Sequence, residues 1–144
     1  MIQSVSRGAM RRSIGLNLGV CLLGVVTDAG TSAQIYDTIR LQGGDDEHNK
    51  KVVRIYDAAG SGSIVDGESS VISDYTGSTN LATMSPVFSA ATTVGDKFEM
   101  WDTPWTIEEI DEAINQTINE VTANCPQLKE IHTPFTETDK YLYD

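Results

Sequence analysis

The chain has 144 residues and a mass near 15.6 kDa, with 40% hydrophobic and 22% charged residues. That suits one hydrophobic core, leaves two full domains crowded, and makes neither a membrane protein nor a fully disordered chain the expectation. Twenty-one acids oppose ten Lys and Arg for a formal charge of -11, which speaks against nucleic-acid binding because phosphate recognition needs clustered cations.

The charge is unevenly placed. Arg7, Arg11 and Arg12 are the only charged residues among the first 27, while the remaining 117 carry all 21 acids against seven cations. An acidic body with a basic amino-terminal arm suits association with an acidic neighbour, another copy of the chain included. The plainer alternative is that three arginines solvate one helix face.

Residues 1–24 read as a helical arm, with helix from Ser4 to Leu23 weakened by glycines at 8, 15, 19 and 24. The glycines could instead mark the helix end, with strand from Gly19 onward. A helix this rich in glycine needs close packing against a neighbour. The apolar run from Ile14 to Val26 imitates a signal peptide, but its arginines come late and Asp28 follows soon after. It is also short for a transmembrane span, so no membrane partner is expected. Asn115, Gln116 and Thr117 match a glycosylation pattern that has meaning only in an exported eukaryotic chain.

Residues 25–103 change to short strands between polar turns, predicting an antiparallel β domain. The expected strands are Ala33–Leu41, Val52–Asp57, Ser69–Asp74, Asn80–Ser85 and Lys97–Trp101. A turn joins two of them, with Gly77 free to take positive φ, and Pro86 interrupts a strand. Five or six such strands imply a small barrel or sandwich.

Residues 104–125 carry the clearest local signal. Thr106 and Glu109 form a capping box, and Trp105 with Ile110 a hydrophobic staple. Ile107, Ile110, Ile114, Ile118, Val121 and Cys125 follow as one apolar stripe, and Pro126 sets the end near Asn124. The fold expected is therefore α+β, a small antiparallel barrel or sandwich flanked by an N-terminal and a C-terminal helix that pack as a pair. Residues 126–144 read as an extended tail. Its ending, with Tyr141 and Tyr143, suggests either a strand that pairs with a partner or a chain cut from a longer protein.

Chemistry finds little support. Asp45, Asp46, Glu47 and His48 are the densest ligand group, but consecutive acids without a Gly-centred loop read as a solvated acidic turn. A structural cation there would need Asp57 or Asp66 as well. His48 and His132 have no Cys or acid at zinc spacing, Cys21 and Cys125 lie in apolar settings, and no phosphate loop follows the glycines at 60, 62 and 67. No enzyme, cofactor or metal is expected. Trp101, Trp105 and Tyr75 could suggest a glycan or peptide platform, though core packing is the better use of the tryptophans.

A resemblance adds to this reading. The stretches Gly67–Gly77, Asn80–Phe88 and Val94–Trp101, with the loop Gly43–Asp46 and the helix Thr106–Asn124, resemble a small β module recurrent in tailed-bacteriophage virion proteins. It covers about Arg11 to Gln127. The resemblance implies a noncatalytic part repeated around a symmetric particle and assembled in the host cytoplasm. A neck ring subunit (a head–tail connector or adaptor) is favoured, with copies of itself, portal and tail proteins as partners. Capsid decoration, tail or fibre attachment, and a nonviral glycan- or peptide-binding module are the alternatives. The expected assembly interface is Arg7, Arg11 and Arg12 for orientation, Ile107, Ile110, Ile114, Ile118 and Val121 for burial, and Tyr141 and Tyr143 in the tail. Replacing the three arginines with Glu is expected to block ring insertion and leave the monomer folded.

Overall fold

The computed structural model describes residues 5–59, 64–102, 104 and 106–124. The first helix, α1 (Arg7–Leu18), starts where the Ser6 hydroxyl accepts from the Ala9 N–H at 3.2 Å. It stops at Gly19, whose left-handed backbone (φ 71°) lets its N–H reach the Gly15 and Leu16 carbonyls. The helix expected to run to Leu23 therefore ends five residues earlier, and the alternative of a strand after Gly19 holds. The next residues form β1 (Cys21–Val25), which joins the sheet instead of the arm.

Five further strands follow: β2 (Gln34–Tyr36), β3 (Val52–Asp57), β4 (Ser69–Thr76), β5 (Leu81–Ser85) and β6 (Lys97–Trp101). They form one antiparallel sheet in the order β1-β6-β3-β4-β5-β2. Register shifts between Ile55 and Asp57 and between Ile72 and Asp74 bend the central strands, and the sheet curls into a half-barrel. Its two edges approach each other: the Thr27 N–H donates to the Tyr36 carbonyl at 2.8 Å, and the Val25 N–H donates to the Asp37 carboxylate at 3.0 Å. The chain is thus α+β, with its two helices flanking the sheet as expected.

The inside of the curl is filled by Val26, Ile35, Ile55, Ile72, Phe98 and their neighbours. The outside is half covered. A second helix, α2 (Ile107–Asn124), lies with α1 over β1, β6 and β3, where Cys21, Trp101, Ile107, Ile110 and Ile114 make a separate apolar cluster. Strand β6 is consequently sandwiched: Phe98 and Met100 belong to the inner core, Trp101 to the outer cluster.

Two local expectations change for identifiable reasons. The strand predicted over Ala33–Leu41 shrinks to three residues because the Asp37 carboxylate also accepts from the Ile39 and Arg40 N–H groups, each at 2.9 Å, folding the chain into a turn. Gly77 is not among the residues at positive φ; Asn80 takes that conformation instead, at 51°. Glycine at 77 answers to space, since a side chain there would strike the backbone of Gly43 and Gly44.

Candidate functional site

The α1–α2 layer gathers most of the expected interface residues, but it sorts them into two groups. Arg11 is 4% exposed and faces inward. Its Nη1 donates to both carboxylate oxygens of Asp111 on α2, at 2.8 and 2.7 Å, and its Nε and Nη2 donate to Glu99 Oε1 on β6, at 3.2 and 2.6 Å. Glu99 is fully buried, and its other oxygen has no hydrogen-bond partner; Arg12 Nη1 lies 3.9 Å from it. The Arg12 guanidinium also lies over the Tyr56 ring, 4.2 Å from its centroid. Two cations and two carboxylates thus neutralise one another beneath the helices, and the carboxylate partners hold the Arg11 guanidinium above its ordinary pKa against the opposing effect of burial.

The contacts made by two of the three arginines thus lie within the chain. Arg11 ties α1 to β6 and α2 within one chain and has no face left for a partner, and Arg12 is half-buried against Tyr56. Only Arg7 is exposed. A triple replacement with Glu would set two new carboxylates, at positions 11 and 12, beside Glu99 and Asp111, and is therefore expected to unfold the chain instead of leaving a folded monomer, which a denaturation curve checks. Sequence reasoning missed Glu99 and Asp111 as partners. The available signal was an acid flanked by Phe98 and Met100 in the apolar part of a strand, Phe98–Trp101.

The neighbouring Gly15 explains how α1 comes so close. A side chain there would overlap the Trp101 ring and Cys21. The close packing expected for this helix is therefore met inside the chain. Burial, with Glu99 adding to it, pushes the Cys21 thiol up to about 12, so it is neither thiolate nor nucleophile near neutrality.

The apolar stripe of α2 divides in the same way. The capping box is present: Thr106 Oγ1 accepts from the Glu109 N–H at 3.2 Å, and Glu109 Oε2 accepts from the Thr106 N–H at 3.2 Å. Ile107, Ile110 and Ile114 are buried against the sheet, whereas Ile118 is 43% and Val121 46% exposed. On α1, Val5, Ile14 and Leu18 are exposed too. Together the helices enclose an open groove of about 560 Å³ lined by Met10, Ile14, Leu18, Ile110, Ile114 and Ile118, among others. Trp105, Cys125, Tyr141 and Tyr143 lie outside the described residues.

The other candidates are structural. Trp101 and Tyr75 are fully buried and present no ring face to a glycan. In the acidic loop, Asp45 accepts from the Gly77 N–H at 2.8 Å, Asp46 from the Asn49 amide at 2.6 Å and Glu47 from the Gly44 N–H at 2.8 Å. His48 turns inward, edge-on to Tyr75 with ring centroids 4.6 Å apart. Tyr75 donates to the Leu41 carbonyl at 2.7 Å, and burial, then Glu47 and Asp45, raise its phenol pKa. Among the described residues, no three or more His, Cys, Asp or Glu side chains converge as metal ligands, and no helix is long and apolar enough to cross a membrane. Comparison with protein-family models, curated proteins and solved structures finds no match to this chain.

Proposed function

We propose that the chain is a noncatalytic structural subunit of a tailed-bacteriophage virion, repeated as a ring at the neck between portal and tail. The observation that carries the assembly part of this reading is the apolar groove on the helix layer, with Ile118, Val121, Ile14 and Leu18 left open to water. Covering such residues is worth about 1.5–3 kcal/mol for each side chain fully buried, which is the currency of stable subunit contacts. On the outer face of β4 and β5, Ser69, Ser73 and Ser85 are exposed together with Val71, a mixed surface with no continuous apolar stripe. The phage part of the reading comes from the strand and turn motifs between Gly67 and Trp101.

Replacing Ile118 and Val121 together with Lys tests this directly, because neither contributes to the buried clusters. The double variant is expected to unfold within about 0.5 kcal/mol of the parent, as surface substitutions do. Its incorporation into particles, read by mass spectrometry of purified virions in competition with the parent, is expected to fall about tenfold or more, the loss of at least 1.4 kcal/mol of contact energy. A folded double variant that enters particles normally would overturn the assignment.

A further inference from the structure

We draw no further inference here: the strongest candidate, the open apolar groove between α1 and α2 lined by Ile14, Leu18 and Ile118, carries none because nothing in the structure shows what covers it.

Discussion

Replacing Arg11 with alanine is expected to cost the fold about 3–5 kcal/mol, the usual penalty for removing one partner of a buried ion pair. The size follows from what is left behind. Glu99 has no exposed surface, its Oε1 loses both donors, and its Oε2 already lacks one. Asp111, partly exposed, recovers water more easily. The same geometry predicts strong non-additivity. Removing both buried charges in Arg11→Met/Glu99→Gln is expected to cost clearly less than the two single changes summed, because no fully buried charge is then left unpaired and Asp111 and Arg12 both reach water. Chemical denaturation of the four proteins in the cycle measures this. Costs that simply add, or an Arg11→Ala variant as stable as the parent, would mean that the network does not hold the helices to the sheet.

Gly15→Ala is the second large effect, and its sign is the informative part. Helix propensity alone promises a gain of about 1 kcal/mol from this change. Packing says the opposite. The added methyl lies inside the contact distance of the Trp101 ring and of Cys21, and Trp101 is held on its other sides by a fully buried environment. Neither the ring nor the β1 backbone can move aside without opening the cluster that includes Ile107 and Ile110. Overpacking of this kind costs about 1–3 kcal/mol. A net loss of stability is therefore expected, whereas Gly44→Ala, where a side chain would meet open space, is expected to be near neutral. A stabilised Gly15→Ala protein would show that α1 does not lie against Trp101.

How much of this was legible in the sequence depends on the range of the interaction. Capping at Thr106 and Glu109 is a three-residue relation, and the alternation in Val52–Asp57 and Lys97–Trp101 is a two-residue one, so both elements appear where the pattern placed them. Residues 34–41 misled because Asp37 looks like one more alternating position, while its carboxylate in fact ends the strand. The arginines misled for a longer-range reason. Arg11 meets its partners 88 and 100 residues away, and nothing in the local pattern of an arm separates a cation aimed at a neighbour from one aimed at its own sheet. The stripe of α2 was readable as apolar, but not where the sheet beneath it stops. That boundary, between Ile114 and Ile118, is what turns a core helix into an exposed groove.

The most direct measurement of the proposed role is a low-resolution cryo-EM map of the native assembly, if one forms, that contains this chain, with its copies counted and their neighbours traced. A single ring between capsid and tail, with the α1–α2 face covered by an adjoining subunit, is the predicted result. Copies spread over the capsid shell would instead make the chain a decoration protein, and a chain recovered only as a free monomer with its groove open would contradict the assembly role altogether.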